Sequence, residues 1–241
     1  MPPIIGIILD EVLDPPQDGS AFSRRPFYAL RMGYFDAIAA AGGLPIAIPY
    51  KAEALDDYMK LCDGWLIPGG DYRFRADWYA QAPPAEKMAA PTLRRDFEIA
   101  AASRILSADK PILGICNGMQ VLAGVSGGKI AYHGHITRPG GAIMHGDPAT
   151  GLAHHAVDLA AASRVAAIHN SSRIQTNSAH KEDVVSIGPD ASITARAEDG
   201  VIEAIEFAGK RFAIGVQWHP ELETETPHPL FKALVDAART K

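Results

Sequence analysis

The 241-residue sequence predicts an α/β fold, a three-layer α/β/α sandwich around a mostly parallel sheet with additional antiparallel strands. Apolar runs at residues 4–9, 44–49, 64–68 and 111–115 alternate with helical patterns near 24–41, 52–61 and 93–108. Such alternation places parallel strands beneath helices on both faces of one sheet. After Gly127 the pattern changes to short strands around 129–132, 156–159, 165–169, 183–188, 192–197, 201–207 and 211–217. Their turns, Gly188-Pro189-Asp190, Glu198-Asp199-Gly200 and Ala208-Gly209-Lys210, have hairpin chemistry.

The first run follows Met1-Pro2-Pro3 without a basic stretch and breaks at Asp10, so it reads as an opening strand rather than a signal peptide. Cys62 sits in an apolar-flanked stretch before the strand at Gly64, where a reduced core thiol is expected, and two cysteines provide no disulfide framework. From Asp71 to Pro91 come Tyr72, Arg73, Phe74, Arg75, Trp78 and Tyr79, either a wall or lid of a site or a solvated loop with a few packed rings. Residues 134–153, rich in glycine and polar side chains, are the expected mobile loop, and a last helix over about 229–238 covers the sheet.

There is no internal repeat, low-complexity tract or linker, and the length is near the upper size for one core, so a single domain over 1–241 is expected. Apolar residues make up 47% and charged residues 21%, ordinary for a globular protein. A net charge of −5 without a basic run argues against nucleic acid and anionic membrane as partners. No apolar run approaches the roughly 20 residues of a transmembrane helix. The expected compartment is the cytoplasm.

Three segments carry chemistry. Gly114-Ile115-Cys116-Asn117-Gly118 has the spacing G-x-C-x-G between a buried strand and a helix start. In its serine counterpart the nucleophile occupies a strained strand-to-helix turn, and the flanking glycines let the backbones pass closely. A thiol there would stand at the positive end of the helix, although cysteine is also often a plain core residue. In Ala213-Ile214-Gly215-Val216-Gln217-Trp218-His219-Pro220-Glu221 an apolar strand ends with His219 and Glu221 two apart. They share a face, as a base with its orienter or as an ordinary salt bridge. The third segment, Gly64 to Asp71, runs a strand into Pro68-Gly69-Gly70, which is either a plain turn or bare backbone N–H groups for an oxyanion.

Taken together and in this order, the three segments resemble the class I glutamine amidotransferase superfamily. Its γ-glutamyl-γ-aminobutyrate hydrolase branch is the most similar. Ala41-Gly42-Gly43-Leu44-Pro45, Ser126-Gly127-Gly128, Thr176-Asn177-Ser178-Ala179-His180 and Asp199-Gly200-Val201-Ile202-Glu203-Ala204 support that branch, so the likeness covers almost the whole chain. The resemblance implies a flavodoxin-like sheet, a Cys116-His219-Glu221 triad, and an oxyanion hole from Gly70 and Asn117. It also implies a γ-glutamyl thioester, a γ-glutamyl amide substrate, and a place in polyamine catabolism. Gln120, one helical turn beyond Cys116, is a candidate for gripping the glutamyl group. Asn177, Ser178 and His180 are candidates for substrate binding, with a structural role for His180 equally open.

Two departures bear on the leaving amine. Asn117 stands where the branch has arginine, and Lys181 where it has a histidine, and both positions are expected near the acceptor side of the substrate. A glutaminase subunit feeding ammonia to a separate synthase, and a non-catalytic ligand-binding module, are the rival readings; a homodimer is compatible with either. Among nine histidines, His133-Gly134-His135 and His154-His155 are the conceivable ligand pairs. No His-Glu-x-x-His or paired Cys-x-x-Cys occurs, and adjacent histidines on a strand face opposite ways. Neither a metal nor a cofactor is expected.

Overall fold

Five short apolar strands lying side by side and parallel set the frame. The computed structural model describes residues 1–18, 22–90, 92–133, 141, 143–146, 150–223 and 227–240. Strands of the first half are β1 (Ile4–Ile8), β2 (Asp10–Val12), β3 (Phe27–Ala29), β4 (Leu44–Ile48), β5 (Gly64–Ile67) and β6 (Ile112–Ile115). Then come β7 (Lys129–Tyr132), β8 (Ala153–Leu159), β9 (Arg173–Ser178) and β10 (Glu182–Ser186). The last are β11 (Ala191–Ala197), β12 (Ile202–Phe207) and β13 (Ala213–Val216). Helices are α1 (Met32–Ala40), α2 (Leu55–Leu61), α3 (Ala85–Met88), α4 (Leu93–Ser107), α5 (Asn117–Val125), α6 (Arg164–His169) and α7 (Pro229–Arg239).

Among the described residues nine strands form one sheet in the order β4-β1-β5-β6-β13-β12-β11-β8-β9. The first five are parallel and the remaining pairings antiparallel. Alternation along each strand divides its side chains between two cores. Ile5 and Ile7 of β1, Leu66 of β5 and Ile214 of β13 join Tyr34, Ile38, Leu230, Phe231 and Leu234 beneath α1 and α7. Ile8, Trp65, Ile67 and Ile112 join Phe97, Ala101, Ile105, Met119 and Leu122 beneath α4 and α5. Three layers and a mostly parallel sheet are therefore present as predicted.

Local readings differ in three places. Residues 165–169 are helix α6 rather than a strand, because a short apolar run does not distinguish the two and the caps decide. The Ser163 hydroxyl accepts the N–H of Ala166 at 3.0 Å, and Glu206 accepts those of Arg164 and Val165 at 3.1 and 2.9 Å. The helix expected over 24–41 starts only at Met32, since Phe27–Ala29 pairs with Asp10–Val12 as a ribbon. Edge strand β9, which passes through the Asn177 motif, was not anticipated from its polar sequence. The mobile-loop expectation for 134–153 falls mostly on residues outside those described, as does His135.

Over residues 71–90 the described chain is largely exposed around a few packed rings, the second of the two readings given to this segment. Tyr72, Phe74, Trp78 and Tyr79 are all buried in the core beneath α4, with Phe74 and Trp78 stacked at 6.0 Å. Cys62 is fully buried, and that burial pushes its thiol up to about 12, as expected of an inert core cysteine.

Close approach of α5 to the sheet depends on two glycines. A Cβ on Gly118 would stand 2.2 Å from the Ile67 carbonyl oxygen, and one on Gly114 2.6 Å from the backbone of Gly118. Gly118→Ala should therefore force backbone apart and cost about 2–4 kcal/mol, roughly 10 °C in Tm. Gly127→Ala, at φ +97° with no atom within 4 Å of its added carbon, should cost only about 1 kcal/mol of backbone strain. Thermal melts of the two variants check this; equal losses would show that helix approach is not what the first glycine secures.

Candidate active site

Strands β5, β6 and β13 are neighbours, and their carboxyl ends bring three chemical groups to one edge of the sheet. Beyond β5 lies Pro68-Gly69-Gly70, beyond β6 lies Cys116, and three residues past the end of β13 comes His219. Cys116 occupies the turn into α5 with φ +51° and ψ −103°, a conformation that a side chain rarely adopts. Such strain costs about 1–3 kcal/mol and persists only where the surroundings hold it. Here the Cys116 N–H donates to the Val216 carbonyl at 2.7 Å, and its own carbonyl accepts the N–H of Gln120 at 3.2 Å. The sulfur stands at the N-terminal end of α5, whose first-turn amides lack intrahelical acceptors.

The His219 ring places Nδ1 2.8 Å from Glu221 Oε1, and both side chains are buried. Burial alone would lower the pKa of His219. The charge and hydrogen bond of Cys116, followed by those of Glu221, outweigh it and raise the pKa to about 10. Cys116 and His219 are thus coupled as an acid–base pair, with Glu221 on the far side of the ring. The Tyr34 hydroxyl accepts the N–H of Gly69 at 3.0 Å. Its own pKa is raised well above the ordinary tyrosine range by burial and by the Glu221 charge beside it. Gly33 lets the start of α1 lie against Glu221, whose carbonyl would be 2.8 Å from an added Cβ.

A buried arginine on α4 backs the Gly69-Gly70 turn. Arg94 donates from Nη2 to the Pro68 carbonyl and from Nε to Glu98, both at 2.8 Å. Its Nη1 lies 3.0 Å from Asp10, and a Cβ on Gly70 would fall 2.3 Å from that nitrogen. The Tyr72 hydroxyl donates to the other oxygen of Glu98. In sequence Leu93-Arg94-Arg95-Asp96-Phe97-Glu98 looks like a solvated helix start. The i,i+4 spacing of Arg94 and Glu98 was the available sign of pairing.

The remaining expected residues take different places. The Gln120 side chain borders the cleft, but its amide nitrogen donates to the Glu182 carbonyl at 2.7 Å and to Gln217 at 3.2 Å. Asn117 is buried and donates to Gln120 at 3.1 Å, so its side chain is not on the rim, contrary to the expectation built on its departure from arginine. Asn177 is engaged entirely with the catalytic strand: it donates to the His219 carbonyl at 2.8 Å and accepts the His219 N–H at 2.9 Å. Neither Asn177 nor the buried Ser178 lines the cleft, whereas His180 and Lys181 do. The Asn177 side chain thus holds the backbone of His219.

The cleft measures about 880 Å³ and runs from Arg31 and Tyr34 past Cys116 and His219 to Asp71, Lys181 and Glu182. At its far end the largely buried Lys87 bridges Asp71 at 2.5 Å and Glu182 at 3.0 Å. Tyr79 donates to Glu182 at 2.8 Å. Of this segment Asp71 borders the cleft, with Lys87 tied to it, and no spacing rule pointed to Lys87.

Comparison with known proteins agrees with this geometry. A Rickettsia prowazekii (strain Madrid E) protein named "Putative glutamine amidotransferase-like protein RP404" is 33% identical, the alignment covering 98% of each chain. Gamma-glutamyl-gamma-aminobutyrate hydrolase PuuD of Escherichia coli (strain K12) is 29% identical over 80% of this chain and 78% of its own. Among solved structures, the glutaminase domain of Trypanosoma brucei CTPS with bound acivicin superposes with a TM-score of 0.64. It is 19% identical, over 99% of this chain and 94% of that one, and shows the shared fold. The Peptidase C26 family model matches residues 3–221, and the chain belongs to that family.

Proposed function

We propose that this chain hydrolyses γ-glutamyl amides through a γ-glutamyl thioester, with Cys116, His219 and Glu221 as its triad. The observation that carries the reading is the His219 ring held between Glu221 and Cys116 at the floor of an open cleft. Cys116 sulfur attacks the γ-carbonyl carbon, forming a C–S bond while the carbonyl electrons move onto oxygen. Backbone N–H groups of Gly70 and Asn117 hold that oxyanion, an arrangement in which one donor is worth about 10²–10³ in kcat. As the C–N bond breaks, His219 gives its proton to the departing amine. Water then attacks the thioester, His219 takes its proton, and glutamate leaves as the thiolate is restored.

Charge in the cleft suits a substrate bearing both signs. Arg31 and Lys181 line the cleft as cations, and Asp10, Glu11, Asp71 and Glu182 as carboxylates, of which Asp10 pairs with Arg94 and both Asp71 and Glu182 with Lys87. Lys181, more than half exposed and 3.6 Å from Asp71, is the departure from the branch pattern that faces the cleft. Likeness to PuuD supports the γ-glutamyl substrate class but leaves the amine to be found.

Purified protein should release glutamate from γ-glutamyl amines without a second protein, and Cys116→Ala should abolish that release. Lys181→Ala should reorder kcat/KM among γ-glutamyl-γ-aminobutyrate, an uncharged γ-glutamyl alkylamide and a γ-glutamyl diamine. Cleavage of glutamine alone, and only with an added synthase, would give the glutaminase reading preference; full activity in Cys116→Ala would remove the thioester.

The pH profile follows from His219. Its folded pKa lies above the ordinary 6.5, so the charged ring stabilises the fold below pH 6.5, and that contribution is lost as pH rises through about 10. Because the leaving amine needs that proton, kcat/KM should hold through neutrality and decline only toward about pH 10. Glu221→Gln removes one of the groups that raise the pKa, so its alkaline limb should move to lower pH. A wild-type limb centred near 6.5 would contradict the coupled pair.

A further inference from the structure

A second cluster of titratable side chains lies behind the cleft wall, outside the triad. His145 comes from the 143–146 segment, His155 from β8, His180 from the turn between β9 and β10, and Glu203 from β12. All four are buried. Three imidazoles converge on one carboxylate oxygen, Glu203 Oε1: His145 Nδ1 at 3.3 Å, His155 Nε2 at 3.5 Å and His180 Nε2 at 3.7 Å. Donor atoms of His145, His155 and Glu203 all lie within 4.8 Å of one another.

Neither oxygen of Glu203, nor the inward nitrogens of His145 and His155, has a partner in hydrogen-bond geometry. The three histidines are the groups set against this fully buried carboxylate. The outward nitrogens, by contrast, are held. His145 Nε2 meets Asp199 Oδ2 at 2.9 Å, His155 Nδ1 the Ala156 carbonyl at 3.3 Å, and His180 Nδ1 Asp183 Oδ1 at 2.9 Å. Metal-binding histidines are typically oriented in this way, with the second nitrogen donating to a carboxylate or carbonyl. Ligand bonds of about 2.0–2.1 Å in a tetrahedron place neighbouring donor atoms about 3.3–3.4 Å apart, close to the separations found here.

We infer that His145, His155, His180 and Glu203 form a binding site for a divalent metal of the zinc class. Imidazole-rich ligation with one carboxylate favours zinc over magnesium or calcium; His145, His155 and Glu203 supply three donors within 4.8 Å of one another, and His180, 3.7 Å from Glu203, is the adjacent candidate for a fourth. The site joins four chain segments. The His180 N–H donates to the His145 carbonyl at 2.9 Å, and the Gln217 N–H donates to the Glu203 carbonyl at 2.8 Å. The ion would thus pin the segment around His145 to the sheet beside the strand that leads to His219. His180, which also borders the cleft, acts here as a wall support and not as a substrate contact.

The test uses the full chain carrying Cys116→Ser, so that the nucleophile cannot capture the ion. After stripping with dipicolinate, zinc is titrated back, and bound metal is measured by elemental analysis after gel filtration. One zinc per chain is expected, with Tm raised by roughly 8 °C or more at a thousandfold excess over Kd. Cobalt(II) should give the intense visible bands of a tetrahedral site. In the same background, His155→Asn and Glu203→Gln, each checked for folding by circular dichroism, should lose stoichiometric zinc and the Tm response. Two variants are made so that one misfolded protein does not decide the matter. Absence of zinc binding in the Cys116→Ser chain overturns the inference. In that case Glu203 is held by its three histidine contacts alone. Binding that persists unchanged in a folded cluster variant overturns it as well.

Discussion

Everything at the reactive edge depends on the parallel pairing of three neighbouring strands. Ile67 of β5 stands opposite Gly114 of β6, and Gly114 opposite Gly215 of β13. That register ends all three strands at one level, so the Gly69-Gly70 turn, Cys116 and His219 are delivered together. The two paired glycines have a second consequence. A Cβ on Gly215 would be 2.9 Å from the Met119 side chain, and one on Gly114 would reach Gly118, so α5 descends onto a strip of bare backbone. Close packing of that helix brings its amino end beneath the sulfur.

The strained Cys116 backbone has to be held by groups that do no chemistry themselves. Hydrogen bonds to Val216 and Gln120 fix it from below, while Asn177 grips the His219 backbone on both its donor and its acceptor. Arg94 plays the matching part for the Gly69-Gly70 turn. A buried guanidinium needs compensation, and here Pro68 and Glu98 accept its hydrogen bonds while Asp10 pairs with its charge. Its charge behind the turn also favours negative charge developing in front of it.

Legibility in the sequence follows the range of the interactions involved. The parallel strands were readable because each is a short apolar run and its helices alternate with it. The elbow was readable because close backbone approach leaves glycines at fixed offsets from Cys116. Helix α6 was misread because Val165-Ala166-Ala167-Ile168 is apolar in either conformation, and its start depends on Glu206, some forty residues away. Asn117 was misplaced because a change of residue type beside a nucleophile says nothing of where the side chain points. Here Gln120 and Gln217 offer it a buried polar network. Lys87 and the Glu203 cluster share one reason for going unseen: their partners lie on other elements, and no spacing rule reaches across a fold.

The two halves of the sheet therefore obey different constraints. The parallel half is apolar, glycine-lined and fixed in register, so altering any one strand end displaces the reacting groups. The antiparallel half supports a wall held by charge: Lys87 with Asp71 and Glu182, and Glu203 among three histidines. Polar clusters of this kind are rigid when every member is paired and are strongly destabilised when one is removed. A wall built this way can present a different pattern of charge through exposed residues such as Lys181 while its buried members stay in place. The charge at the surface of the wall is then free to change without disturbing the strand ends that hold Cys116 and His219.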